Sequence, residues 1–268
     1  MANRKRTLTW IGSILALAFV YILLFGIQTG YAIQAWNTGR KLPEVKNTPR
    51  NLTDLSVNSA PGTRLSYFGY TFEIPWNDLD EAKSKKVGSM QVLAFHSAMA
   101  MIISSIPPRD FVKTVAGYTG GEETLRRTYG NEVISSDYSF NQAMLNATPA
   151  TIEILGSRED ATRGFMLLVL KTMAMPLPAH SGMYSIRTPH FHGFQFGDPR
   201  SSSGKIVVDL WDDRGGIELH LACFGTCSAP HITQADVNRI SQSVMRVAPL
   251  TATDSPAALQ GTSQASLR

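Results

Sequence analysis

The chain begins with a basic cluster followed by a long apolar segment. Residues 8–27 carry no charge, and Arg4, Lys5 and Arg6 precede them. About 20 apolar residues form a helix about 30 Å long, which matches the hydrocarbon thickness of a bilayer. Basic residues before such a helix favour a cytoplasmic N-terminus. The pattern predicts a single-pass membrane protein that contacts the lipid bilayer through residues 8–27 and exposes its domain on the periplasmic or extracellular side.

A cleaved signal peptide is the alternative interpretation of this segment. Residues 30–32 (Gly-Tyr-Ala) have the small-x-small form of a cleavage site, but the apolar run before them is longer and more aromatic than that of a signal peptide. We favour an uncleaved anchor. Both interpretations place the downstream domain outside the cytoplasm.

Composition divides the chain into four regions. Residues 1–36 are predicted to form a cytoplasmic tip and the transmembrane anchor, and residues 37–62, rich in Asn, Pro, Thr and Ser, a tether. Residues 63–248 are long enough to bury a core of their own and predict one exported domain. Residues 249–268 lack periodic apolar positions, so burial of side chains cannot compensate for the entropy that the chain would lose on ordering. They predict a disordered tail.

Periodicity within the domain predicts a mixture of strands and helices. Alternating or continuous apolar positions predict strands at residues 65–74, 90–106, 182–196, 205–211 and 217–224. Helix formers and capping signals predict helices at residues 122–133 and 137–145, from Ser157 to before Pro176, and from Thr233 to Val247. Residues 77–86, with acids before lysines, predict a turn or short helix. The element order predicts an α+β fold: an N-terminal transmembrane helix, then one domain with a mainly antiparallel sheet packed against helices.

One short motif resembles a known family. Residues 70–76 (Tyr-Thr-Phe-Glu-Ile-Pro-Trp) form an aromatic strand that ends in a Pro-Trp step. Together with the later antiparallel strands and the closing amphipathic helix, residues 65–248 resemble the Mog1/PsbP-like α-β-α sandwich domains. The resemblance implies a binding or accessory module, of a kind often associated with membranes, and it carries over no catalytic residue.

The charge distribution argues against nucleic acid as a partner. The whole chain has a net charge of +4, but residues 1–50 contain seven Lys or Arg against one Glu. The remainder is therefore slightly acidic. It also lacks the basic stripe, interleaved with aromatic residues, that is typical of nucleic-acid binding. We expect no nucleic-acid partner.

Cys223 and Cys227 are the only cysteines in the chain. In an oxidising compartment an even count favours a disulfide, and a tight turn at Gly225 can bring the two residues within bridging range. With His220 and His231 they also offer four nitrogen and sulfur ligands for a tetrahedral Zn²⁺ site, which would exclude the disulfide. Because His220 and Cys223 point to opposite faces of a regular strand, we favour the Cys223–Cys227 disulfide.

A second histidine pair raises the alternative of a soft-metal site. His190 and His192 project from one face if the residues around them form a strand, and both could then contact one metal ion. Thioether sulfurs that would suit Cu(I) recur at Met99, Met101, Met173 and Met175. Methionines also fill gaps in cores, and an exposed strand can carry two histidines without binding metal. We therefore assign no metal to these residues.

Catalytic motifs are absent from the sequence. It contains no nucleophile elbow, zinc-protease helix, phosphate loop or dinucleotide-binding glycine pattern. Turn chemistry accounts for Asp209, Asp212 and Asp213 better than the paired carboxylates of a hydrolase do. We expect a binding or accessory protein of the cell envelope, without a cofactor and with an envelope protein as its candidate partner; enzymatic activity stays open but disfavoured. The alternative is a metal-binding or hydrolytic envelope protein that uses His190, His192, Cys223 and Cys227.

Overall fold

An eight-stranded sheet forms the centre of the fold in the computed structural model, which describes residues 2–154, 156–201, 204–223 and 232–247, without the side chains of residues 2–19 and Leu23. The strands are β1 (Arg50–Asn51), β2 (Thr63–Tyr67), β3 (Tyr70–Ile74), β4 (Leu79–Val87), β5 (Met90–Phe95), β6 (Met99–Ile106), β7 (Met183–Arg187), β8 (His192–Phe196), β9 (Lys205–Asp212), β10 (Gly215–Cys223) and β11 (Met245–Arg246). The helices are α1 (Ala2–Lys41), α2 (Asp110–Thr119), α3 (Glu122–Tyr129), α4 (Asp137–Asn146), α5 (Arg158–Ala174) and α6 (Gln234–Ser243).

The large sheet has the order β1-β7-β8-β9-β10-β6-β5-β4, and only its β1–β7 pair is parallel. One face packs on the helical layer, where Phe140 of α4 belongs to the same buried cluster as Phe194 and Trp211 of the sheet. The other face packs on α6 and on a smaller antiparallel sheet of order β11-β3-β2, through residues such as Phe72 and Leu219. The predicted α+β class, with a mainly antiparallel sheet packed against helices, is confirmed.

Several predicted elements are confirmed at the positions of their local signals. Residues 90–106 form β5 and β6, and the strands predicted at residues 205–211 and 217–224 form the β9–β10 hairpin. The Ser157 side chain accepts a hydrogen bond from the backbone N–H of Asp160 and caps α5. Thr233 and Asp236 form a reciprocal capping box at the start of α6. Each of these signals acts over a few residues, which is why the sequence reveals it.

Two predicted elements are wrong, and one helix was not predicted. Residues 65–74 form a hairpin and not one strand, because Phe68 and Gly69 adopt positive φ and reverse the chain. Residues 77–86 fall largely in β4, an edge strand paired with β5, and the run of lysines lies along it. Pairing with β5 thus outweighs the order of acids before lysines, which favours a helix. Lysines are well tolerated on an exposed edge strand. Helix α2 follows the Pro107-Pro108 break without a predicted counterpart.

Helix α1 continues beyond the predicted anchor and contacts the domain. Tyr31 stacks on Phe165 of α5 at 4.7 Å between ring centroids, and Ala35 is fully buried beside α5. Residues 37–62, predicted to be a tether, contain the end of α1 and strand β1, which pairs with β7. In the part of the chain that the structure describes, no helix meets the length and apolarity needed to cross a membrane. Most side chains of residues 8–27 lie outside that description, and the anchor stays a prediction.

Candidate functional site

A polar cleft of about 280 Å³ opens where the helical layer meets the β9–β10 turn. Loops before α2 and α4 form one side, and β8, β9 and the start of β10 form the other. We call it the polar cleft and define it by Arg109, Asp137, Tyr138, His192, Trp211 and Asp213.

Asp137 is the most deeply buried carboxylate of the polar cleft, with 3% of its surface exposed. It is the first residue of α4, and its Oδ1 atom accepts a hydrogen bond of 3.0 Å from the Val112 backbone N–H in the first turn of α2. The Oδ2 atom has no hydrogen-bond partner. Burial raises the pKa of Asp137, although the backbone N–H groups at the start of α2 oppose the shift.

Arg109 connects three segments around the polar cleft. It adopts a left-handed backbone conformation with φ of 57°, which is uncommon for a residue with a side chain. Its Nη2 atom donates to Glu122 Oε1 at 2.5 Å and to the Ile134 carbonyl at 3.2 Å. Its Nε atom is buried and has no acceptor. The guanidinium is therefore held in place by α3 and the loop before α4, and its buried Nε–H has no acceptor among the described residues.

Aromatic rings form the remaining wall. The Tyr138 ring stacks on Phe194 with 5.3 Å between centroids and lies at the same distance from His192. Trp211, directly opposite His192 in the β8–β9 register, is 6% exposed, and its Nε1 atom has no acceptor. Buried indole N–H groups usually find a partner. The cleft thus combines aromatic faces with polar atoms that the protein itself does not satisfy.

Most of the unpaired buried polar atoms belong to residues that line this cleft. Among the described side chains, four buried polar atoms lack a hydrogen bond, and Arg109 Nε, Asp137 Oδ2 and Trp211 Nε1 all belong to residues that line it. Unsatisfied buried polar atoms are rare in folded proteins, and each costs about 1–3 kcal/mol. A bound molecule that reached these two donors and one acceptor would supply the hydrogen bonds that they lack among the described residues.

The charges in the polar cleft leave it slightly acidic. Arg246 binds Asp212 through two hydrogen bonds of 2.7 and 2.8 Å. Burial alone would raise the pKa of Asp212, but these bonds outweigh it and lower the pKa. Arg109 is likewise paired with Glu122. Asp137 and Asp213 have no ion-pair partner among the described residues, so the cleft favours a neutral or cationic ligand.

The structure separates the two histidines that were predicted to share a strand face. His192 is the first residue of β8 and lines the polar cleft. His190 lies in the preceding turn, which the backbone hydrogen bond from Thr188 N–H to the Phe191 carbonyl closes at 2.9 Å. The described residues contain no group of three or more metal-ligating side chains. The soft-metal alternative therefore gains no support from their placement.

His220 takes part in a different cluster on the sheet. Its Nε2 atom lies 2.9 Å from Glu218 Oε1, and Ser104 Oγ donates to Glu218 Oε2 at 2.8 Å. The hydrogen bond to Glu218 raises the pKa of His220, and the same bond lowers the pKa of Glu218. On β9, directly across from Glu218, burial and the Glu218 charge raise the pKa of Asp209 to about 8. Glu218 bridges the serine and the histidine, so this cluster differs from a catalytic triad, in which the histidine bridges.

The cysteine predictions depend on residues outside the described ranges. Cys223 ends β10 and packs against the core next to the small sheet, on the face opposite His220, as its position predicted. Cys227 and His231 lie outside the described residues. The Cys223–Cys227 disulfide and the competing zinc site both stay predictions.

The sequence pointed to three residues of the polar cleft: His192 as a metal candidate, and Asp212 and Asp213 as carboxylates that were assigned to a turn. Asp137 appeared only as the first residue of a predicted helix, and Trp211 as the end of a predicted strand. The one local signal was the Pro107-Pro108 break before Arg109, which marks a loop. The role of these residues follows from which loops meet, and short-range spacing does not contain that information.

Comparison with known proteins supplies no family for this chain. No protein-family model matches it, and no curated protein matches it significantly. The geometry of the polar cleft is therefore the basis for the functional proposal.

Proposed function

We propose that the protein is a membrane-anchored binding or accessory protein of the cell envelope whose polar cleft holds a small polar ligand. The observation that carries this proposal is that Arg109 Nε, Asp137 Oδ2 and Trp211 Nε1, all buried and without a partner among the described residues, belong to residues that line one cleft. A ligand that satisfied all three would recover hydrogen bonds that the folded protein leaves unmade.

The arrangement of donors, acceptor and rings favours one class of ligand. The Arg109 and Trp211 N–H groups need acceptor oxygens, and the Asp137 carboxylate needs a hydroxyl or amine donor. The rings of Tyr138 and His192 offer surface to an apolar face of the same molecule. A hydroxyl-rich compound of the size of a monosaccharide, with or without an amino group, meets these requirements. The uncompensated Asp137 and Asp213 charges disfavour an acidic one.

Binding fits the site better than catalysis because three of its polar groups already hold the fold together. Asp137 Oδ1 caps α2, and Asp212 pairs with Arg246. The Ser136 hydroxyl accepts the Ser139 backbone N–H as the N-cap of α4. Groups with structural duties of this kind are poorly placed to exchange protons with a substrate. The location at a membrane rests on the apolar residues 8–27 and the basic cluster before them.

Ligand titration with an isosteric variant tests the proposal. Full-length protein in detergent is titrated with glucose and with glucosamine while the indole N–H resonance of Trp211 is followed by NMR. We expect a saturable shift with at least one sugar. Asp137→Asn replaces the unpaired oxygen by a donor but can keep the acceptor for Val112, and it should weaken binding about tenfold, which is about 1.4 kcal/mol.

The matched control is Asp110→Asn, which also removes one negative charge. Asp110 lies in the first turn of α2 and does not line the polar cleft. Equal weakening by the two variants would show that charge alone matters. A Trp211 resonance that neither sugar shifts would count against this ligand class.

A further inference from the structure

An apolar groove of about 660 Å³ runs beside the end of α1 that follows the predicted anchor. Thr29, Ala32, Ile33 and Trp36 form the helix side, and residues 148–154 form the opposite side. Ile33 and Trp36 are 55% and 57% exposed. A concave surface lined by this many apolar side chains is more often a binding site than a chance feature of the protein surface. We call this feature the α1 groove.

A basic pocket of about 400 Å³ adjoins the α1 groove. Lys46 lines both, and the pocket continues to Arg50 and His180. No carboxylate lines the pocket, and neither Lys46 nor Arg50 forms an ion pair among the described residues. Arg50 lies over the Tyr184 ring at 5.3 Å. Two unpaired cations beside an apolar groove are complementary to a molecule with an anionic head and an apolar tail.

Lys171 joins the segment that carries Lys46 to the segment that leads into the opposite side of the α1 groove. It is 0% exposed, and its Nζ atom lies within hydrogen-bond distance of four backbone carbonyls, so at least one of its three N–H groups is shared between two of them. Two belong to Val45 and Asn47, which flank Lys46, at 3.1 and 2.6 Å. The other two belong to Leu145 and Ala147, just before the opposite side, at 2.7 and 2.9 Å. One buried ammonium group therefore joins these two segments into a common frame.

We infer that the α1 groove and the basic pocket together bind one anionic phospholipid, with an acyl chain along α1 and the phosphate at Lys46 and Arg50. This inference rests on the membrane anchor of the proposed function. The predicted span ends at residue 27, and the groove begins two residues later in the same helix. Residues 29–36 rise about 10 Å, so the groove continues from the bilayer boundary.

The outer end of the α1 groove has the composition of a lipid headgroup layer. The Arg40 guanidinium lies 4.8 Å from the centre of the Trp36 ring. Tryptophan and basic residues are enriched at this depth because they combine apolar surface with polar ends. A protein helix could also fill an apolar groove, but the adjoining unpaired cations favour a phosphate-bearing occupant.

Lipid retention tests the inference with charge-matched variants. Full-length protein is reconstituted into phosphatidylcholine vesicles with or without phosphatidylglycerol and extracted in mild detergent, and its bound lipid is counted by native mass spectrometry. We expect one phosphatidylglycerol per chain, retained in preference to phosphatidylcholine. Ile33→Glu places a carboxylate in the apolar groove and should reduce retention about tenfold, whereas Gln34→Glu, exposed and outside the groove, should retain it.

A second pair of variants tests the phosphate contact. Lys46→Glu should also reduce retention, whereas Lys41→Glu, exposed and outside the basic pocket, should not. Thermal unfolding of all four variants separates loss of lipid from loss of fold. Equal retention of the two lipids, or equal retention by Ile33→Glu and Gln34→Glu in folded protein, would overturn the inference. So would a dimer that Ile33→Glu dissociates, because the groove would then be a protein contact.

Flotation of the reconstituted vesicles separates this inference from the proposal on which it rests. Protein that fails to float with vesicles lacks the anchor, and both fall together. Protein that floats but retains no phosphatidylglycerol keeps the anchor and the polar cleft, and only the lipid site is lost.

Discussion

Asp137 at the polar cleft and Lys171 at the α1 groove are both buried charged residues, yet they fix the backbone in opposite ways. Asp137 accepts a backbone N–H at the start of a helix, whereas Lys171 donates to four backbone carbonyls from two segments. Neither has an ion-pair partner among the described residues. Peptide dipoles stabilise each charge in part, but burial still shifts both pKa values towards the neutral forms.

The two residues differ in which of their polar atoms remain unpaired after they have bound the backbone. Asp137 keeps one carboxylate oxygen unpaired, and the nearby Arg109 and Trp211 keep one N–H each. Lys171 uses its whole ammonium group in the frame. The polar cleft therefore offers hydrogen bonds to a ligand, whereas the α1 groove offers apolar surface and the separate cations Lys46 and Arg50. Three experiments on stability test this comparison, in order of expected effect.

Replacing Lys171 should have the largest effect. Lys171→Met keeps most of the side-chain volume but leaves four buried carbonyls without their donor. We expect a loss of about 3–4 kcal/mol in the free energy of unfolding, measured by urea denaturation of the full-length protein in detergent. Lys113→Met is the matched control, because Lys113 is exposed and donates to one carbonyl, and it should change stability by less than about 0.5 kcal/mol. A similar loss in both variants would refute the special role of Lys171.

The pH dependence of stability should reveal the same lysine. Burial lowers the pKa of Lys171 from 10.5 to about 8. Between these values the unfolded chain holds more protons than the folded one, so the Lys171 contribution to stability rises with pH, by on the order of 2–3 kcal/mol. Urea denaturation of the wild type and of Lys171→Met at several pH values from 7 to 11 measures the difference between the two curves. A difference that stays constant would show that Lys171 titrates normally.

Asp137 should have a smaller effect and the opposite pH dependence. Asp137→Ala removes the cap of α2 and should cost about 1–2 kcal/mol, whereas Asp137→Asn should cost less because an amide oxygen can still accept from Val112. The raised pKa of Asp137 means that its contribution falls as pH rises above 3.8. Urea denaturation at acidic and neutral pH measures both effects. Equal losses in the two variants would show that the cap is unimportant.

Local signals predicted most of the elements of the fold. The β9–β10 hairpin, the paired strands β5 and β6, and the caps at Ser157 and Thr233 lie where the sequence places them. Strand β4 was predicted to be a turn or helix because its acids precede its lysines, a pattern typical of helices. Pairing with β5 supplies an energy that such local preferences cannot match, and it depends on residues several positions away.

The functional residues were harder to predict for a related reason. His192 was singled out because histidine carries chemistry, but Arg109, Asp137 and Lys171 resemble ordinary surface residues in the sequence. A charged residue is expected at the surface unless a partner compensates it. Their partners are backbone atoms of distant segments, and no spacing rule identifies those.

The sequence alone determined the α+β class, the positions of most strands and helix caps, and the prediction of an anchor at residues 8–27, because each depends on residues close together in the chain. Only the tertiary structure decided which loops meet at the polar cleft and which carbonyls surround Lys171. Those contacts join segments up to 126 positions apart, and they are stable because the assembled fold excludes water from all of them together. Burial of a charge is a property of the assembled fold, so the two sites appear only when the distant segments are in place.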